Sequence, residues 1–306
     1  MTEIKTMKPK SNTIISIRTE NVIKIYKRKG VETSALRGLS CEMNKGEITI
    51  IMGPSGCGKT TLMNILSGIS LPNAGSVIVQ GQDITQYSET QLEQFRRDKI
   101  SYIFQKLNLI PTLNVMDNIT FALEYTNKMN EAQQSRINNI IELIGLEDHT
   151  KKFPDELSGG EQQRVALAAA LAKNSDIILC DEPTGELDSK AKMKVMELLS
   201  IIKKNYPEKT IVIVSHDTDM NLIADRLLYI RDGKISYEMS TEKLQKIKTQ
   251  GEIPIEVHAE KSLHNSNDED LLTELRELNK IISDKLEHYE SRNIQKHKLK
   301  EKMDNI

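Results

Sequence analysis

Residues 53 to 61 read Gly53, Pro54, Ser55, Gly56, Cys57, Gly58, Lys59, Thr60 and Thr61, the types and spacing of a loop that wraps phosphates. The glycines let the backbone turn with its N–H groups inward, and the helix that follows would aim the positive end of its dipole at an anion. Lys59 would reach the β- and γ-phosphates, and the Thr60 hydroxyl would ligate Mg²⁺. The predicted substrate class is a nucleoside triphosphate with magnesium. A glycine-rich turn that binds nothing is the plain alternative. The apolar run Ile48 to Met52 before the loop and the helical start Thr61 to Leu66 after it argue against that alternative.

Two downstream stretches carry complementary chemistry. The apolar run Ile177 to Cys180 ends in Asp181 and Glu182. Asp181 can hold a magnesium-bound water, and Glu182 can polarise the attacking water as a general base. On an extended backbone adjacent carboxylates point to opposite sides, one toward the metal and one toward the γ-phosphate. The alternative is an acidic strand end at the surface. Further upstream, Ser158, Gly159 and Gly160 open a helical stretch through Leu171. Ser158 can cap that helix, whose free N–H groups can bind an anion; taken alone, this is an ordinary capped helix.

The elements that must position these residues alternate in type. Strand patterns occupy Ile14 to Ile17, Ala35 to Met43, Ile48 to Met52 and Ser76 to Gln80, with glycine turns at Gly30, Gly46, Gly75 and Gly81. From about 89 to 172 helical periodicity takes over, as in Glu131 to Ile144, whose Ile137, Ile140, Ile141 and Ile144 share a face. Buried-strand runs return at Ile177 to Cys180 and Ile211 to Val214, each ending in polar residues where a parallel sheet places its chemistry. The predicted core is α/β, with the globular pattern ending after Asp225 to Lys234. Residues 1–13 read as a disordered N-terminus and 241–270 as a polar linker. In 271–306, Leu271, Leu275, Leu278, Ile282 and Tyr289 predict an amphipathic helical tail, open between pairing as a coiled coil, packing on its own core and fraying.

Bulk composition narrows the partners. With 306 residues, 38% of them hydrophobic, the chain can bury a sizeable core. A formal charge of −2 gives no global basic field, so nucleic acid is not an expected partner and any membrane contact must be local. Cys41, Cys57 and Cys180 lack metal-ligand spacing and fit a reducing cytosol. No signal-peptide core opens the sequence and nowhere do about 18 apolar residues run together, so another chain is expected to supply any membrane span.

In order along the chain stand the phosphate loop, Gln105 in Ile103-Phe-Gln-Lys, Leu157-Ser-Gly-Gly-Glu-Gln-Gln-Arg164, Asp181-Glu182, Gly185-Glu-Leu-Asp188, and His216 in Val214-Ser-His-Asp. With these motifs, residues 14 to 240 resemble the ATP-binding subunits of ABC transporters. The resemblance implies a P-loop NTPase of ABC type: a RecA-like core sheet, an antiparallel β subdomain and an α-helical subdomain at about 89–172. It implies ATP as substrate, Mg²⁺ as cofactor and ATP hydrolysis as activity. Tyr26 would stack on adenine, although a lone tyrosine near a strand is more often core. Gln105 would ligate Mg²⁺ and touch the attacking water, and His216 would contact the γ-phosphate and position the water and Glu182. Asp188 would help join a homodimer, in which Ser158, Gly159 and Gly160 of one copy close over the ATP of the other.

The strings Tyr102-Ile-Phe-Gln-Lys-Leu-Asn-Leu-Ile-Pro111 and Asp181-Glu-Pro-Thr-Gly-Glu-Leu-Asp188 look like the macrolide-export and lipoprotein-release group. That implies a permease with few spans and a large extracytoplasmic domain, docking near Gln105 and residues 107–119, and peripheral attachment at the cytoplasmic face of the membrane. Ala169 and Glu186 stand where the family often has arginine and asparagine. Neither holds phosphate, but both blur the subgroup. A regulatory ATPase of a cell-wall or cell-division membrane complex is the alternative to export. Chromosome and repair ATPases of this fold separate loop and signature by very long coiled coils, whereas about 100 residues separate Lys59 from Ser158 here. Translation-factor relatives carry two motif sets, and this chain carries one.

Overall fold

The computed structural model describes residues 14–28, 30–124 and 131–239, so the expectations for 1–13, the linker and the helical tail lie outside the described residues. The chain begins with two long strands, β1 (Ile15–Arg28) and β2 (Val31–Asn44), then β3 (Ile48–Met52), α1 (Lys59–Leu66), β4 (Ala74–Val79) and β5 (Gln82–Asp83). Next come α2 (Glu89–Lys99), β6 (Ile100–Ile103), α3 (Val115–Glu124), α4 (Glu131–Ile144) and α5 (Gly159–Ala172). The described part ends with β7 (Ile177–Asp181), α6 (Ser189–Asn205), β8 (Thr210–Val214), β9 (Arg226–Arg231) and β10 (Lys234–Met239).

Two sheets organise these elements. One has four strands in the order β2-β1-β4-β5, all antiparallel. The other has six in the order β10-β9-β3-β8-β7-β6, parallel except for the edge strand β10. The continuous apolar runs of β3, β7 and β8 follow from burial on both faces. Ile48, Ile50, Ile178, Cys180, Ile211 and Ile213 point to the side packed by α3, α4, α5 and α6. Their alternates, Ile51, Ile177, Leu179, Val212 and Val214, face α1 and the four-stranded sheet. Full burial of each such side chain stabilises by roughly 1.5–3 kcal/mol. The central strands are therefore a stiff platform with the phosphate-loop helix on one face and the helix opened by Ser158 on the other.

Because β3, β8, β7 and β6 run parallel, their carboxyl ends share one edge of the sheet. From that edge emerge the phosphate loop after Met52, Gln105 just beyond Ile103, Glu182 after Asp181, and His216 just beyond Val214.

Four expectations are corrected. The stretch from 89 to 172 is not wholly helical: β6 lies inside it and pairs with β7 in the core sheet. Its four residues are too few to show a period of two, and the charged α2 runs directly into them. β1 and β2 extend far beyond Ile14–Ile17 and Ala35–Met43, because register shifts between Thr19 and Val22, with Asn21 at φ 48°, break the alternation that marks a strand. The fold continues past Lys234, where β10 folds back on β9 through Asp232 and Gly233 at φ 50° and 74°. Finally, Glu182 is not extended: at φ 53° it has left the strand, so the opposite-sides argument for Asp181 and Glu182 does not hold.

Candidate active site

Close packing dictates the course of the phosphate loop. Gly53 has φ 145°, and a Cβ there would lie 2.1 Å from the Ile230 carbonyl oxygen; at Gly58, φ 109°, a Cβ would meet the Ala35 carbonyl oxygen at 2.5 Å. Neither position admits a side chain without moving β9 or β2. Gly58 is the N-cap of α1, no side chain caps it, and no acidic residue lies in the first turn. The N–H groups there remain free for an anion. Lys59 Nζ reaches back across the loop, donating to the carbonyl oxygens of Gly53 at 2.8 Å and Pro54 at 3.0 Å. Cys57 points inward and is buried, which pushes its thiol pKa up, so it acts as packing. Ser55, Gly56 and Thr60 are exposed at the rim, with Thr61 half-buried beside them.

Asp181 stands opposite Thr60. Only 6% exposed, its carboxyl is held above the usual carboxylate range by burial, against the opposing pull of the Thr60 and Tyr102 hydroxyls. Tyr102 Oη donates to Asp181 Oδ2 at 3.5 Å, while Oδ1 is buried without a partner. A buried carboxylate oxygen with no donor beside a threonine hydroxyl is a donor set suited to a hard divalent cation, so Thr60 and Asp181 fit Mg²⁺. Among the described residues no cluster of three or more His, Cys, Asp or Glu side chains forms a metal site. The cation would rely on few protein ligands plus phosphate and water, as magnesium does.

Glu182 turns away from Asp181 and meets His216. Its N–H donates to the Val214 carbonyl at 2.9 Å, and its Oε2 lies 2.8 Å from His216 Nδ1. The glutamate side chain is 14% exposed and the imidazole 68%, so the pair is anchored below and open above. The left-handed backbone at Glu182 is a strained geometry for a non-glycine residue, of the kind found where a side chain must be aimed.

Gln105 is exposed and lines a cavity of about 480 Å³ together with Gly159, Gln163, Glu182 and Leu187. None of residues 53–61 lines it. Ser158 caps α5 in a reciprocal box: its Oγ accepts from Glu161 N–H, while its own N–H donates to Glu161 Oε2 at 2.8 Å. Gly160 is buried, and a Cβ there would approach Ala191 Cβ to 2.8 Å, so the close packing of α5 on α6 needs glycine. Asp188 caps α6, its Oδ1 accepting from Lys190 and Ala191 N–H at 2.9 and 2.8 Å. Tyr26 is a surface residue of β1, 41% exposed, with Lys24 Nζ 5.4 Å from its ring centroid.

The fold thus gathers Lys59, Thr60, Asp181, Glu182 and His216 at one sheet edge, puts Gln105 in a cavity beside Glu182 that Gly159 also lines, and leaves Ser158 exposed at the start of α5. Sequence reading missed Tyr102, because a tyrosine in a short apolar run has no mark of contact with a carboxylate at the end of the neighbouring strand. It also missed Asn118, whose amide bonds Ile110, Leu113 and Asn114 and so shapes the turn after Gln105. An asparagine on an amphipathic helix gives no such signal.

A phosphate loop and strand-end carboxylates at the carboxyl edge of a parallel sheet define an α/β P-loop NTPase. A sequence profile of the ABC transporter family matches residues 36–185. An uncharacterized ABC transporter ATP-binding protein of Methanocaldococcus jannaschii is 40% identical over 221 residues, 72% of this chain and 97% of that protein. The macrolide export ATP-binding/permease protein MacB of Campylobacter fetus is 38% identical over 72% of this chain, which spans 34% of MacB. Among solved structures, the dimeric ABC transporter cassette MJ0796 of M. jannaschii matches with TM-score 0.68 at 37% identity, over 74% of this chain and 98% of that one. A post-hydrolysis dimer of that cassette, bound to ADP and Pi, matches with TM-score 0.67 at 35% identity over the same shares. The chain belongs to the ABC transporter family of ATP-binding proteins and is an ATPase of that class.

Proposed function

We propose that two copies of this chain bind ATP with Mg²⁺ between them, hydrolyse it, and drive a membrane permease engaged in export or mechanotransmission. The observation that carries the reading is the convergence of Lys59, Asp181 and the Glu182–His216 pair at one edge of a rigid sheet. In this reading residues 53–61 wrap the phosphates, Lys59 turns from its loop carbonyls to the β- and γ-oxygens, and Tyr26 offers its exposed ring to adenine. Thr60, Asp181 and Gln105 hold Mg²⁺, which when bound neutralises charge on the phosphate oxygens. Glu182 accepts a proton from water as the water oxygen bonds to the γ-phosphorus and the bond to the β-phosphate oxygen breaks, giving ADP and phosphate. His216 orients the Glu182 carboxylate and touches the γ-phosphate.

Ser158, Gly159 and Gly160 complete the site of the second copy. The exposure of Ser158 and Gly159 at a helix N-terminus supports this assignment, as do the dimers formed by MJ0796. Asp188 lies where the copies meet. The permease docks against Gln105 and residues 107–119, whose turn Asn118 stiffens. Among the described residues no helix is long and apolar enough to cross a membrane, and MacB, a relative, is named for both ATP binding and permease. In this reading the chain works at the cytoplasmic face of the membrane through a permease with few spans and a large extracytoplasmic domain.

The test is affinity purification of the tagged chain from mildly solubilised native membranes. A permease of that architecture should copurify and raise ATP turnover several-fold over the free chain. Recovery of the chain with a many-span channel-type permease, or with no membrane protein, would contradict the reading.

A further inference from the structure

The residue after His216 is gripped by a different element. Lys192, in the first turn of α6, places Nζ 2.6 Å from Asp217 Oδ2 and 3.7 Å from Asp219 Oδ2. The three side chains are only 22%, 12% and 26% exposed, which separates this cluster from ordinary surface pairs. Burial acts to lower the Lys192 pKa, but the two carboxylates outweigh it and hold the ammonium above its usual value.

Every neighbour of His216 is tied down. Asp217 N–H donates to Ser215 Oγ at 3.0 Å, and Asp217 Oδ1 accepts from Asp219 N–H at 3.0 Å. Ser215 is fully buried, its N–H donating to the carbonyl of Ile51 at 3.1 Å, two residues before the phosphate loop. The imidazole itself is exposed and held at Nδ1 by Glu182. On the other side, Lys192 N–H donates to the Asp188 carbonyl at 2.9 Å, within the turn that the Asp188 side chain caps. One lysine therefore joins the Asp188 turn, by its backbone, to the His216 segment, by its ammonium.

We propose that Lys192 is a positioning residue for hydrolysis: through Asp217 it fixes the backbone carrying His216 to the first turn of α6, and so sets the imidazole against Glu182. This rests on the hydrolytic roles given above to Glu182 and His216. It adds that a displacement of the Asp188 turn is transmitted to His216 through the Lys192 ammonium, chiefly by its close pair with Asp217. Lysine suits the task because its flexible stem spans the two segments while its charge meets two carboxylates at once.

The test uses the full chain with radiolabelled MgATP. Lys192→Gln should lower kcat about tenfold, the rate lost when the His216 imidazole is no longer held against Glu182, with the Kd for ATP unchanged. Lys192→Arg should restore most of the rate. On a His216→Ala background, Lys192→Gln should give no further loss, because its target is already gone. Multiplying losses in the double variant, an unchanged kcat in Lys192→Gln, or a Kd weakened as much as kcat would each overturn the proposal. If His216→Ala alone leaves kcat intact, the role of His216 fails and the proposal with it, an outcome visible before any lysine variant is made. Should Lys192→Gln not fold, Asp217→Asn cuts the same pair from the other side and is scored by the same criteria.

Discussion

Lys59 and Asp181 face each other across the phosphate loop in opposite energetic conditions. Lys59 donates to two loop carbonyls, and charged hydrogen bonds of this kind transferred to phosphate oxygens contribute roughly 1.5–3 kcal/mol each. Lys59→Ala should weaken ATP binding by about 100-fold or more in calorimetry; retention of tight binding would remove the loop from the site. Asp181 carries its buried charge at a cost, since its folded pKa is raised by burial. A raised carboxyl contributes stability below its unfolded pKa and loses it as pH rises through the folded value, so at neutral pH the charge destabilises the nucleotide-free protein. Asp181→Asn should then raise the nucleotide-free melting temperature by about 2–4 °C, roughly 1 kcal/mol in a domain of this size, while magnesium-dependent hydrolysis collapses. That gain should vanish below the carboxylate range. At this scale the chemistry was legible wherever it depends on residue type and spacing, as in the loop and in Asp181-Glu182. The aim of Glu182 was not, because its left-handed backbone is imposed by contacts with β8 and the His216 segment rather than by its own sequence.

At the scale of elements, α5 shows why a motif and a helix start coincide. Ser158 and Glu161 satisfy each other's backbone N–H groups, with Gly159 exposed and Gly160 packed inward behind it. Glu161 is held below its usual pKa first by the Ser158 hydroxyl and N–H, with His149 and Arg164 assisting. Ser158→Ala should cost about 1 kcal/mol at pH 7 by denaturant unfolding. A lowered carboxyl contributes stability above its unfolded pKa and loses it as pH falls through the folded value, so the gap between wild type and variant should shrink below about pH 4.5. A constant gap across pH would mean that the Glu161 pair does not hold the cap. The cap was readable because serine and glutamate three apart before an apolar run are a local code. β6 was not, since what makes Ile100–Ile103 a strand is the exposed edge of β7 waiting to be paired. The Asp232-Gly233 hairpin was available in the sequence as a turn dipeptide, and so was β10, whose Lys-Ile-Ser-Tyr-Glu-Met alternates polar and apolar residues.

For the whole molecule, the decisive fact is that a parallel sheet sends four strand ends to one edge while α5 exposes Ser158 on a separate element. Sequence order alone indicated the set of motifs, but their division between one chain and its partner is a matter of geometry. In the proposed cycle ATP joins two copies and hydrolysis parts them, which requires Glu182 to act on ATP held by both. The most direct measurement is the mass of Glu182→Gln in solution, by size exclusion with light scattering, in MgATP and in MgADP. The expected result is twice the mass of the chain with MgATP, the single-chain mass with MgADP, and ATP turnover reduced at least about 100-fold. A single-chain mass in saturating MgATP, or turnover at the wild-type rate, would contradict the account.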